Sequence, residues 1–113
     1  MFSTVFLIGR LGSDPESKAT SNNKKVCNFS IATTGKWIDQ SGVSQEKTTW
    51  HRISTWEQLA ELSQRYLKKG RLVFIEGEIL NNSWEDSEGK MNYSSEIRAK
   101  KILFLDSSSK ENE

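Results

Sequence analysis

One stretch of this chain breaks the pattern followed by the rest. From Leu59 to Leu67 the apolar residues fall at helical spacing, with Leu59, Leu62 and Tyr66 on one face and Leu67 in support. On either side they come in short runs rich in β-branched and aromatic residues, bounded by Gly, Asn, Asp and Ser. Such a chain has one short helix, and the rest of what packs must pack as sheet.

The runs can be placed in order. "FSTVFLIGRLG" reads as a first strand, closed by glycines, with "SDPE" as its turn. "ESKATSNNKK" is small, polar and basic, and reads as a mobile loop before a second, half-buried strand, "VCNFSIATT". A third strand begins near Thr48, after "GKWIDQSGVSQEK", where Asp39-Gln40-Ser41-Gly42 marks a hairpin tip. Thr55 with Gln58, or Ser54 with Glu57, can form a capping box for the helix. Gly70 is placed to close it with a left-handed cap, near Lys68 and Lys69 at the negative end of the dipole. "RLVFIEGEIL" is a fourth strand, and "SWEDSEGKMNYSSEIRAKKILFL" holds an Asp-Ser-Glu-Gly turn and a last strand or two.

Three strands, one helix and at least two more strands point to an all-β fold with one short α-helix. The expected architecture is a five-stranded OB-fold, a Greek-key barrel of curved antiparallel strands that binds oligonucleotides across its strand 2 and 3 face. A split sandwich with one packed helix is the alternative. The 113 residues suit one domain, residues 1–105, and the final "DSSSKENE" has no apolar residue to pack, so 106–113 reads as a disordered tail. Sixteen basic residues against fifteen acidic ones leave +1 overall. The tail holds three of the acids and one of the bases, so the body has fifteen bases against twelve acids, or +3. Cys27 has no partner for an internal disulfide, which suits a reducing compartment. No run resembles a signal peptide or approaches the ~20 apolar residues of a membrane helix, so a cytoplasmic location is expected.

Four tryptophans, Trp37, Trp50, Trp56 and Trp84, exceed what one small core absorbs easily, since each indole N–H needs a partner. In "TTWHRISTW" strand alternation puts Trp50, Arg52, Ser54 and Trp56 on one side, a face without a single aliphatic residue that does not resemble core. One or two of the rings could simply cover the barrel's open end. All four together point instead to plates on which the bases of single-stranded nucleic acid stack, at ~1–3 kcal/mol per base or roughly 4–12 kcal/mol in all before ordering costs.

Arg10, Lys18, Lys24, Lys25, Lys36, Lys47, Arg52 and Lys69 lie on or beside the expected strands and loops, where cations can neutralise phosphates. A surface lysine is most often only solvated; Arg52, between two indoles, stands apart. The lone His51 alternates to the other side of its strand, and no second ligand at metal spacing accompanies it, so neither a metal nor a cofactor is expected. No carboxylate pair, nucleophile with a histidine partner or phosphate loop can be assembled, and "GRLG" is too short for one. Binding rather than catalysis is the expectation.

Through "VFLIGRLGSDPE", "NFSIATTGKW", "TTWHRISTW", "LAELSQRYLKKG", "VFIEGEI" and "WEDSEG", residues 3 to 105 resemble the bacterial and mitochondrial single-stranded DNA-binding proteins. The resemblance implies an OB-fold that assembles as a homotetramer wrapped by single-stranded DNA, coating exposed strands during replication, recombination and repair. It implies stacking roles for Trp37, Trp50, Trp56 and Trp84, with Trp56 standing where phenylalanine is common, and DNA-facing roles for Lys18, Arg52 and Lys69. His51 corresponds to a subunit-interface position. Two departures stand out: "LNNSW" has no base before the last tryptophan, and "SSSKENE" lacks the acidic, Ile-Pro-Phe-like tip that recruits replication and repair enzymes. A bacterial or phage-infected cytoplasm, in association with the nucleoid, is implied ahead of a mitochondrion. The rival readings are a primosome-type OB adaptor acting through protein partners and an RNA- or carbohydrate-binding β-barrel.

Overall fold

The computed structural model describes residues 3–106. Their elements run β1 (Val5–Leu11), β2 (Glu16–Ala19), β3 (Lys25–Ile38), β4 (Ser44–Trp56), α1 (Gln58–Tyr66), β5 (Leu72–Glu85) and β6 (Met91–Phe104). β1 pairs with β3 and β5, β3 with β4, β4 with β6, and β6 with β5, so five strands close on themselves. With the helix between the third and fourth barrel strands, this is OB-fold topology. One seam departs from the expected antiparallel pattern: β4 and β6 run parallel where Ile53 faces Ile97 and Ser54 faces Arg98. A parallel join needs a long crossover, and α1 with β5 supplies it.

Alternation fills the barrel. Phe29 and Ile31 on β3, Ile53 on β4, Val73 and Ile75 on β5, and Ile97, Ala99 and Ile102 on β6 point inward against Leu11 and Leu67. Ile31 and Ile75 are fully buried, and truncating either to alanine would cost about 2–5 kcal/mol. Cys27, on the strand read as half-buried, is fully enclosed, and burial pushes its thiol pKa up despite the hydrogen bond from Ser17.

The helix corrects several expectations. Its buried residues are Ala60 and Ser63, followed by Leu67 just past its end, so the inward face lies one position on from Leu59, Leu62 and Tyr66. Small side chains there bring the helix axis close to the barrel, and the two leucines flank the contact. Neither capping box forms: Glu57 holds the cap position with a left-handed φ of 56°, while the Thr55 hydroxyl, already buried, donates to the Cys27 carbonyl at 2.7 Å. Gly70 does not cap the helix, which ends at Tyr66; its φ of 90° serves the turn into β5, where the Arg71 amide donates to the Lys68 carbonyl.

The segment expected to be a mobile loop contains β2, whose Glu16–Ala19 pair with Asn28–Lys25 at the edge of β3. β4 begins at Ser44 rather than near Thr48, β5 continues through Trp84, and β6 is one strand with a bulge at Lys100. Asp106, grouped by composition with the tail, belongs to the packed body. It accepts from the Arg71 Nε at 2.8 Å and the Leu72 amide at 3.1 Å, and Arg71 in turn lies over the Phe104 ring. The rest of the expected tail, 107–113, lies outside the described residues.

Both long hairpins outrun the barrel. Residues 33–38 with 44–49, and 80–85 with 91–96, continue as two-stranded ribbons, here called the first and second arms.

Candidate nucleic-acid interface

Unbroken register makes the facing of each side chain a matter of counting. Residues directly opposite in an antiparallel pair share a pleat, so Trp50 stands with Ala32, Arg52 with Ser30, and Trp84 with Asn92. The parallel seam puts Ser54 beside Arg98. Trp50, Trp56 and Trp84 therefore all occupy the outward pleat, away from Ile53 and Ile97. Trp37 is on the opposite pleat, in line with Phe29 and Ile31, but on the arm beyond the barrel's end, where that pleat meets solvent. Trp37, Trp50 and Trp84 are 49%, 59% and 50% exposed, so each keeps an open ring surface.

The outward side of β4 is not uniform, contrary to the reading that it avoids the core. Trp50 and Arg52 are exposed, but Ser54 is buried at 3% and Trp56 is half-buried with its Nε1 enclosed. The face sinks toward the β4–β6 seam and the helix. Trp56 also has company: the Arg98 guanidinium carbon lies 5.1 Å from its ring centre.

Trp50 depends on a glycine that sequence reasoning passed over. Gly12 lies under the six-membered ring, and a Cβ there would collide with it. The Gly12 amide donates to the Ser30 carbonyl at 3.0 Å, pinning the backbone in place beneath the indole. "GRLG" contributes the seat of the Trp50 ring.

The cations divide into groups. Lys18 and Arg52 line one groove with Asn28, Ser30, Ser13, Asp14, Glu16 and Glu96. Lys69 adjoins it, because its amide donates to Asp14 at 2.8 Å. Lys36 and Lys47 sit on opposite pleats of the first arm, Lys36 on the Trp50 side at 4.0 Å from Glu46, and Lys47 on the Trp37 side. Arg10 is less available than its position suggests: it donates to the Gly70 carbonyl at 2.9 Å and lies 4.0 Å from Asp106. Lys25 is bound to Glu61 of the helix, which holds that carboxyl below the usual range. His51 is half-buried, with Nε2 2.9 Å from the Thr33 hydroxyl. Among the described residues, no group of three or more His, Cys, Asp or Glu is placed to hold a metal, and no helix is long and apolar enough to cross a membrane.

A closed OB barrel with exposed indoles and a polar groove along its β3–β4 side, where Lys18 and Arg52 stand among Asp14, Glu16 and Glu96, has the architecture of an oligonucleotide-binding module. The model of the single-strand binding protein family matches residues 2–105, and the chain belongs to that family. It is 48% identical over 94 residues to single-stranded DNA-binding protein 1 of Chlorobaculum tepidum, an alignment covering 82% of this chain and 58% of that protein. It is 43% identical over 101 residues to the single-stranded DNA-binding protein of Neisseria meningitidis, covering 89% and 58%. The chain thus spans a little over half the length of these relatives. Among solved structures, an SSB complex with single-stranded DNA from Plasmodium falciparum superposes with a TM-score of 0.86 at 32% identity, covering 94% of this chain and 97% of that one. A deletion mutant of the Thermus aquaticus single-stranded DNA binding protein gives 0.81 at 29% identity, covering 94% and 51%.

Proposed function

We propose that this chain binds and coats single-stranded DNA with little sequence preference, in replication, recombination and repair, as a binding protein and not an enzyme. The observation that carries the reading is the outward pleat running over β3, β4, β5 and β6, which holds Trp50, Trp56 and Trp84 and, on its β3–β4 side, a groove to which Lys18 and Arg52 contribute. Every base has a π-face, so stacking supplies affinity without reading sequence, and cations meeting phosphates release counterions. Trp37 and Lys47 extend the path over the other side of the first arm, and Lys36 and Lys69 border it. The kinship with proteins named for single-stranded DNA supports the same reading.

Titration with oligothymidylate, followed by tryptophan fluorescence across a salt series, tests it. Quenching on binding is expected, with affinity falling linearly in log–log against salt. Unchanged emission at low salt would refute the proposal, and binding to glycans without salt dependence would replace it.

A homotetramer goes with this reading. β1 pairs with β5 through Val5–Arg10 but with β3 only at Arg10 and Leu11, which leaves the Val5–Gly9 edge open among the described residues. Beside it Phe6 stacks on Phe74 at 5.8 Å, with Ile8 and Leu103 exposed on the same face. An open strand edge next to an apolar surface favours a second copy. His51 would lie toward that contact, and the assembly would work in the cytoplasm, at the nucleoid. Sedimentation at micromolar concentration should show the tetramer; a monomer would rule it out.

A further inference from the structure

Arg98 carries no sequence signal: it is one base among several in "SSEIRAKK". The parallel seam gives it a place. Ser54 lies beside Arg98, and alternation sets Arg98 on the outward pleat between the β5 strand and Trp56. Its guanidinium carbon is 5.1 Å from the Trp56 ring centre, while the side chain remains exposed. Among the described residues no carboxylate comes within 4.0 Å of it, because its cross-strand neighbour Glu78 is taken by Lys100 at 3.6 Å. The charge is held by the indole face alone, a weak attraction at an exposed site. Trp56 for its part has its Nε1 edge buried without a hydrogen-bond partner, and the ring face under Arg98 is the part of it that the guanidinium covers.

A base cannot stack on a face that a guanidinium covers. To reach Trp56 the base must displace Arg98, and the displaced cation stays tethered within side-chain reach of the backbone that carries that base. We propose that Arg98 is a DNA-contacting residue, parked on Trp56 in the free protein and transferred to a phosphate when a base takes over the indole. The inference deepens the single-stranded DNA reading and rests on it. Arginine suits both halves of the exchange, since its planar fork stacks on an aromatic face and also grips phosphate oxygens.

The test is oligothymidylate binding by the full chain across a salt series, comparing the unchanged protein with Arg98→Met and Arg98→Lys. Arg98→Met should lower the log–log salt slope by about 0.7 and weaken binding about fivefold near ~0.1 M salt, the counterion-release value for one phosphate on a single strand. Arg98→Lys should keep the slope, because the charge is kept. If methionine impairs folding, Arg98→Gln gives the same comparison. An unchanged slope in the neutral variants overturns the inference, whether binding tightens because a lid has been removed or the thermal midpoint drops because a packing contact has been lost. Absence of binding by the unchanged protein overturns this inference and the broader reading together, whereas binding with an Arg98-independent slope overturns this one alone.

Discussion

At the ends of the two arms the chain builds the same tip twice, and along their length it does opposite things. Asp39 accepts from the amides of Ser41 and Val43 and from the Gln45 side chain, and Gly42 turns with φ 80°. Asp86 accepts from the amides of Glu88 and Lys90 and from the Asn92 side chain, and Gly89 turns with φ 78°. Both carboxyls are held below the usual range, Asp39 chiefly by the Val43 amide and Asp86 chiefly by the Asn92 side chain. Below the tips the first arm has a lysine on each pleat, Lys47 on the Trp37 side and Lys36 on the side that leads down to Trp50 on the barrel. The second arm has an aromatic on each pleat, Trp84 and the 75% exposed Tyr93, but their neighbours are Asn81, Asn82, Ser83, Ser94 and Ser95. Its only base is Lys90 at the tip, against Glu85, Asp86, Glu88 and Glu96. Shared turn chemistry fixes the shape of a ribbon and leaves its flanks free to differ, one carrying lysines and the other neutral amides and hydroxyls.

The largest effect should come from stripping the first arm. Trp37→Ala with Lys36→Ala and Lys47→Ala should lose about 1–3 kcal/mol of stacking and lower the salt slope by about 1.4, read by oligothymidylate titration across salt. Trp84→Ala on the second arm should cost about 1 kcal/mol and leave the slope untouched. A slope change there would erase the distinction between the arms. Asn82→Lys, on the same pleat as Trp84, should convert the second arm toward the first, raising the slope by about 0.7.

Smaller effects concern stability. Burial pushes the Asp106 carboxyl up, but the Leu72 amide and Arg71 together outweigh it and hold the group below its ordinary range. Because the folded value is depressed, its contribution is fully present above an ordinary aspartate pKa of about 3.9 and fades as pH falls through the lower folded value. Asp106→Asn should flatten that acid limb in thermal melts. Smallest of all, Asp39→Ala and Asp86→Ala should each speed amide exchange at its own tip, Val43 or Lys90, and barely move the global midpoint. A tip that resists the change would show that the two turns differ after all.

Much of this was legible in the chain. Period-2 runs, one helical window and the Asp-x-x-Gly turns carry local information, and they led to the strands, the helix and both tips. The four indoles were legible for a similar reason: their number and their distance from aliphatic runs do not depend on folding. Less visible were features made by non-local contact. Ala60 and Ser63 became the buried helix face because small residues let the helix sit close, a fact about the barrel beneath them. Arg10 reads as a free cation until Gly70 and Asp106, sixty and ninety-six residues away, are folded against it.

What the amino-acid order determined by itself was the set of parts: β-runs that must alternate, one helix, two tight turns, and more indole than a small core can hold. Tertiary structure decided which pleat each part faces. Closing the barrel through a parallel β4–β6 seam sank Ser54, left Trp50 standing on Gly12, and brought Arg98 over Trp56. Alternation along a strand is a local property, whereas the meeting of two strands more than forty residues apart is settled only when the whole sheet closes.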